Sequence, residues 1–254
     1  MQTFGLRRNV TGAFAAALLL PVWGFGAPDA QNKAENKAVS AAVISKYLQT
    51  IESQSDALRG GCMHVEISAS VTKLKEQGRL NALRKISKVG RITYHVLGFH
   101  GDNTIKTQVI ARYLQAEQQG LGNDKLAITP TNYKFKSKGE WRFGNREAYL
   151  FQISPRTKRV GLFKGELWLD ATTYLPLYEK GRFVKNPSIF FKRVVFDRAF
   201  DIQNGMAIPE YMDSTIDARV IGKVELTIRY SNFSQNTCGD TEQAQSARLP
   251  GVAK

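Results

Sequence analysis

The chain is short of the residues from which most reactive sites are built. Its 254 residues include two cysteines and three histidines, too few for a disulfide-built miniprotein or a four-cysteine zinc site. The histidines, His64, His95 and His100, stand at no metal-ligating spacing and read as strand residues at or near the surface. Neither G-x-S-x-G nor H-E-x-x-H occurs, which removes the nucleophile elbow and the zincin helix. Gly120 and Gly122 lack a third glycine and a preceding strand, so they read as a helix stop and not as a dinucleotide loop. Asp213 and Asp217 share a strand face, but Arg219 continues that face, and a solvated, balanced row is expected there. No enzyme, cofactor or metal is expected from this inventory. Acid is also scarce, with 36 Lys and Arg against 22 Asp and Glu, a net charge of +14.

Long apolar runs are missing as well. The run from Ala13 to Leu20 breaks at Pro21, well short of the ~20 residues that cross a bilayer. Arg7 and Arg8 precede it, and Gly24 and Gly26 place small residues before Ala27. Residues 1–26 therefore read as a cleavable export signal, followed by a flexible leader over 27–37. No cysteine follows the run, so a soluble, unlipidated periplasmic protein is expected. In an oxidising compartment Cys62 and Cys238 become disulfide candidates. They flank the strand-rich region, and closing so long a loop contributes ~4–5 kcal/mol in the chain-entropy model. Two separate buried thiols remain the other reading.

Helical spacing of Val39, Val43, Tyr47, Leu48 and Ile51 predicts a helix over 38–52, ended by Gly60 and Gly61. A second amphipathic helix is predicted over 104–119. Segments 63–73 and 90–99 are compatible with strands, whereas 75–88 reads either as a long hairpin connection or as the frayed ends of two strands. From 132 to 233 the pattern is antiparallel β throughout. Gly144-Asn145 and Asn204-Gly205 mark hairpins, and Val224, Leu226, Ile228 and Tyr230 alternate with polar residues. About eight or nine strands at this rhythm predict a barrel or strongly curved sheet in one domain over 38–238, with a flexible tail over 239–254.

This sheet is rich in aromatic residues, and the two helices are available to cover part of one face. A curved sheet under a helical lid leaves room for an apolar cavity suited to acyl chains. The candidate lining is Trp168, Phe183, Phe196, Leu226 and Ile228, with Tyr47 and Tyr113 on the lid. Strand parity groups these residues by face and leaves open which face is concave. Dispersed cations such as Lys134, Lys136, Lys164, Lys180 and Arg182 favour anionic partners. For an exported bacterial protein those are phospholipid, lipopolysaccharide or an acidic envelope protein, and not nucleic acid.

The run Gly165-Glu-Leu-Trp-Leu-Asp170, then Gly181-Arg-Phe-Val-Lys-Asn-Pro-Ser188 and Lys192-Arg-Val-Val-Phe196, resembles exported bacterial proteins of the outer-membrane lipoprotein-sorting (LolA-like) superfamily. Thr129–Phe135, Tyr113–Glu117, Ile208-Pro209, Ala218–Gly222 and Leu226–Tyr230 extend the resemblance over about residues 38–233. It implies a mainly β (α+β) fold: an incomplete, strongly curved antiparallel barrel with helices covering its open concave side. It also implies a periplasmic carrier that binds the acyl chains of a lipoprotein or phospholipid. In a sister branch the same fold regulates an envelope stress response by binding an anti-sigma factor, and this is the alternative function. No binding residue of the family maps onto this chain, and the sequence sets no oligomeric state.

Overall fold

The computed structural model describes residues 28–120, 124–186, 191–219 and 222–235. The export signal, Cys238 and the tail from residue 239 lie outside them. Helix α1 (Pro28–Ala57) begins in the segment expected to be a flexible leader. The apolar stripe starts only at Val39, but proline suits a first helical turn and Ala, Gln, Lys and Glu sustain helix without burial.

Ten strands follow. Three come first: β1 (Gly61–Val71), β2 (Glu76–Ile86) and β3 (Ile92–Gly101). A π-helical turn (Ile105–Ile110) then runs into α2 (Ala111–Gly120). The remaining strands are β4 (Tyr133–Phe143), β5 (Arg146–Pro155), β6 (Phe163–Asp170), β7 (Pro176–Phe183), β8 (Phe191–Gln203), β9 (Met206–Ala218) and β10 (Gly222–Gln235). They form one antiparallel sheet in the order β3-β2-β1-β10-β9-β8-β7-β6-β5-β4. Sequence neighbours pair except where β10 returns beside β1, and β3 and β4 are left as the two open edges. The sheet is an open half-barrel with the helices on its concave side.

The segment 75–88 holds one continuous strand, Glu76–Ile86, and is neither a loop nor frayed ends. Gly78, Leu80, Ala82, Arg84 and Ile86 are buried in alternation with more exposed neighbours. Two small residues and a charged one stand at inward positions, which hides the alternation from a hydrophobicity count.

Two apolar clusters share the inner face. One gathers β1, β2, β10 and the π-turn around Ile67, Leu80, Ile105, Ile110, Leu226 and Ile228. The other sets Val43 and Tyr47 of α1 against Tyr133, Phe151, Ile153, Leu167, Leu169 and Phe196. Gln54 clamps the end of α1 to β9, donating to the Ala207 carbonyl at 2.7 Å and accepting from the Ala207 N–H at 3.1 Å.

The β6–β7 turn is organised by Asp170. Its carboxylate accepts from the N–H groups of Thr172 and Thr173, from the Thr173 hydroxyl at 2.9 Å and from Arg146 at 3.2 Å. Burial pushes its pKa up, but the Thr173 bonds, Arg146 and Thr172 outweigh that and hold it below the ordinary carboxylate value. A depressed folded pKa means stability that is present above the unfolded pKa of ~3.9 and lost as pH falls through the lower folded value. Asp170→Ala is expected to cost about 2 kcal/mol near neutral pH. The difference from wild type in urea midpoint should shrink as the pH is lowered towards about 3. A difference that does not change with pH would mean the carboxylate is not what holds the turn.

Candidate functional site

Pairing in register places one residue from every strand in a single row across the inner face. The row runs Phe99, Leu80, Ile67, Ile228, Met212, Arg198, Glu179, Leu167, Phe151 and Ser137. Both halves are apolar apart from Ser137 at the β4 edge. The interruption is in the middle, where Arg198 of β8 and Glu179 of β7 stand side by side. Glu179 accepts from Nε of Arg198 at 2.8 Å and also from its Nη2. Met212 packs against both apolar clusters, so the polar seam falls where the two clusters meet.

The helices roof the face from either side of this seam. Tyr47 of α1 is buried near Glu179 and Arg198. Tyr113 of α2 lies with its hydroxyl 3.4 Å from that of Tyr230 on β10. Further along α2, Glu117 accepts two hydrogen bonds from the buried Arg84, at 3.1 and 3.0 Å, and a third from the Tyr94 hydroxyl. Burial raises the pKa of Tyr47, Tyr94 and Tyr113, with Glu179, Glu117 or Tyr230 adding to it, and pushes Tyr133 and Tyr230 up to about 12. These phenols stay neutral: the Tyr94 hydroxyl donates to Glu117, and that of Tyr133 accepts from the Phe163 N–H at 3.3 Å.

Chemically, the seam pairs each carboxylate with a guanidinium and sets neutral hydroxyls among aliphatic and aromatic walls. Among the described residues no His, Cys, Asp and Glu group is gathered to hold a metal. The face sets one polar strip between two apolar halves. It is also reached by water, because the Arg198 side chain keeps 39% of its exposure in the middle of the row. Two hollows, of about 230 Å³ beside Met63, Tyr230 and Phe233 and about 180 Å³ beside Asp197 and Asp213, are smaller than the ~300–1,000 Å³ of ordinary ligand pockets.

Six of the seven expected lining residues meet on this face. Tyr47, Phe196, Leu226 and Ile228 are buried in the two clusters, and Phe183 and Tyr113 pack against them. Trp168 is the correction. It pairs with Leu150 and Tyr178, one residue out of phase with Leu167 and Leu169, and so stands on the outer face. Sequence reasoning missed Arg84, Arg198 and Glu179, because charged residues in alternating strands read as solvent-facing, and Glu117, because a carboxylate beside the apolar stripe of a helix reads the same way. Asp213 is ion-paired with Arg229 of β10 at 3.2 Å, a cross-strand partner that Arg219 had been expected to supply. Cys62 is buried at the start of β1. Its expected partner Cys238 lies outside the described residues.

The fold defines a helix-roofed open half-barrel. Its chain course is similar to that of a DUF1329 family protein from Desulfovibrio piger, with 12% identity, TM-score 0.43 and coverage of 82% of this chain and 98% of that one. It is also similar to a LolA superfamily protein from Nitrosomonas europaea, with 13% identity, TM-score 0.36 and coverage of 79% and 95%. A third similar structure is described as an outer membrane lipoprotein-sorting protein domain from Vibrio parahaemolyticus, with 12% identity, TM-score 0.38 and coverage of 79% and 97%. The sequence matches no protein-family model and no curated protein.

Proposed function

We propose that this protein is a non-enzymatic binding or carrier protein of the bacterial periplasm that takes acyl chains of a lipoprotein or phospholipid on its inner face. The observation that carries the reading is the solvent-reached seam between two apolar clusters roofed by helices. A second sheet would close such a face for good; a helix held by Val43, Tyr47 and Gln54 at its buried positions can be displaced. Each CH₂ that leaves water for the face gains ~0.8 kcal/mol, and any apolar lid side chain it displaces into water offsets part of that gain. Release then follows when the helices return to the sheet. The export signal read from residues 1–26 supports the compartment.

The test is native mass spectrometry of the protein recovered from the periplasm of cells expressing the full chain, followed by organic extraction. A co-purifying phospholipid or acylated peptide is the expected result. An unliganded mass that stays unchanged after incubation with lipid vesicles and lipopeptides would overturn the reading. The same spectrum reads whether Cys62 and Cys238 are bridged.

A second reading, an envelope regulator that binds another protein, draws on the β3 edge. Val96 and Leu97 there are 49% and 51% exposed beside an unpaired strand backbone, which suits strand addition by a partner peptide. Loss of partner binding on Leu97→Lys, with lipid loading intact, separates the two.

A further inference from the structure

The outer face of the sheet carries a feature that acyl binding on the inner face does not use. Trp141 and Phe143 of β4, Trp168 of β6 and Tyr178 of β7 point away from the helices and touch one another. Ring centroids are 6.4 Å apart for Trp141 and Trp168, 5.5 Å for Phe143 and Trp168, and 5.4 Å for Phe143 and Tyr178. Together they cover Leu150 and Ala148 of β5, which burial alone explains. Burial does not explain Trp141 itself, which remains 51% exposed at the sheet edge. Its indole N–H is already satisfied by the Lys138 carbonyl at 2.9 Å, and that of Trp168 by Glu166 at 3.3 Å. The stripe thus presents ring faces and edges with little unmet hydrogen-bonding demand.

Beside the stripe the same face is strongly basic. Parity puts Lys134 and Lys136 of β4, Arg146 of β5, Lys164 of β6, and Lys180 and Arg182 of β7 outward, against the carboxylates of Glu166 and Asp170 on these strands and of Asp197, which faces Lys180 from β8. Asp170 is already engaged by Arg146 and the turn it caps. The five other cations are exposed. Tryptophan and tyrosine next to lysine and arginine on one surface is the chemistry of an interface between anionic headgroups and acyl chains.

We propose that the outer face of β4–β7 docks the protein on an anionic bilayer surface, with Trp141 at the headgroup level and the lysines of β4 and β6 on lipid phosphates. The docking is peripheral and reversible, and it turns the inner face away from the bilayer it rests on. It stands independently of what the inner face binds.

Trp23, Trp141 and Trp168 are the tryptophans of the chain, so the full chain with Trp23→Phe emits from the stripe alone. The probe is vesicles of phosphatidylcholine brominated near the headgroup, with or without phosphatidylglycerol, at low salt. Bromine quenches on contact, so an N-terminal segment that merely inserts into the bilayer leaves these two indoles bright. The expected result is quenching with phosphatidylglycerol vesicles, absent with pure phosphatidylcholine and reversed by salt. Lys136→Glu with Lys164→Glu should weaken vesicle partition by about tenfold or more without changing the thermal midpoint. Unquenched tryptophans at saturating phosphatidylglycerol would overturn the proposal and leave the stripe to an acidic protein surface. Quenching that the charge variant does not reduce would overturn it equally.

Discussion

Glu117→Ala is expected to destabilise the protein by about 3–5 kcal/mol, because it leaves a guanidinium buried without its counter-charge. Arg84 is 6% exposed and stands inward between Ala82 and Ile86 on β2. Two of its donors go to one oxygen of Glu117, and its third nitrogen has only the Met63 sulfur, at 3.9 Å. The Tyr94 hydroxyl loses its acceptor in the same substitution. Urea unfolding followed by circular dichroism measures the loss. Arg84→Met combined with Glu117→Leu should recover most of it, since replacing both charges by packed apolar groups removes the desolvation cost along with the attraction. A loss in Glu117→Ala below about 1 kcal/mol would mean that α2 spends its time undocked, with Arg84 hydrated. The result therefore bears on the roof as well as on stability: Glu117 fixes where α2 sits, and with it Tyr113 over the seam.

The β content, the hairpins at Gly144-Asn145 and Asn204-Gly205 and the two covering helices were legible because each has a local cause. A turn dipeptide, a period of two or a period of 3.6 is written in adjacent residues. What pairing adds is written nowhere locally. The return of β10 beside β1 decides which edges stay open, and register decides which charged residues turn inward. Arg198 and Glu179 sit in strands whose neighbours alternate in a way that either face could satisfy. Only the cross-strand row from Ile67 to Phe151 shows them in the core. Trp168 failed for the same reason. Aromatic density marked it as lining, but its neighbours Leu167 and Leu169 take the inner face, and alternation sends it out. The start of α1 was hidden for another reason, since a polar, Ala-rich stretch propagates helix without an apolar stripe to announce it.

The glycine that opens the strand motif Gly165-Glu-Leu-Trp-Leu-Asp170 carries the other large expected effect. Gly165 of β6 and Gly181 of β7 face each other in register on the inner side. A Cβ at Gly165 would lie 1.9 Å from the Lys180 carbonyl oxygen and 2.6 Å from the Gly181 Cα. Both are backbone atoms, so nothing nearby can swing aside and the strands themselves must part. Gly165→Ala is expected to cost about 3 kcal/mol or more. Gly181→Ala should cost less, because its first obstacle at 2.4 Å is the side chain of Phe163 and the nearest backbone atom, the Lys164 carbonyl oxygen, lies farther off at 2.9 Å. Gly98→Ala has open space and an ordinary backbone, and should be neutral or stabilising by up to about 1 kcal/mol. Chemical denaturation of the three variants measures that order, and equal stability of Gly165→Ala and Gly98→Ala would show that β6 and β7 do not pair in this register. The close approach also serves the inner face. With no side chains at the paired positions, the rings of Phe163 and Phe183 lie against Phe196, at centroid distances of 4.9 and 5.4 Å, in the cluster beneath Tyr47 of α1. Parting the strands lifts that aromatic floor, so Gly165→Ala should reduce lipid loading in the fraction that still folds, whereas Gly98→Ala leaves it unchanged.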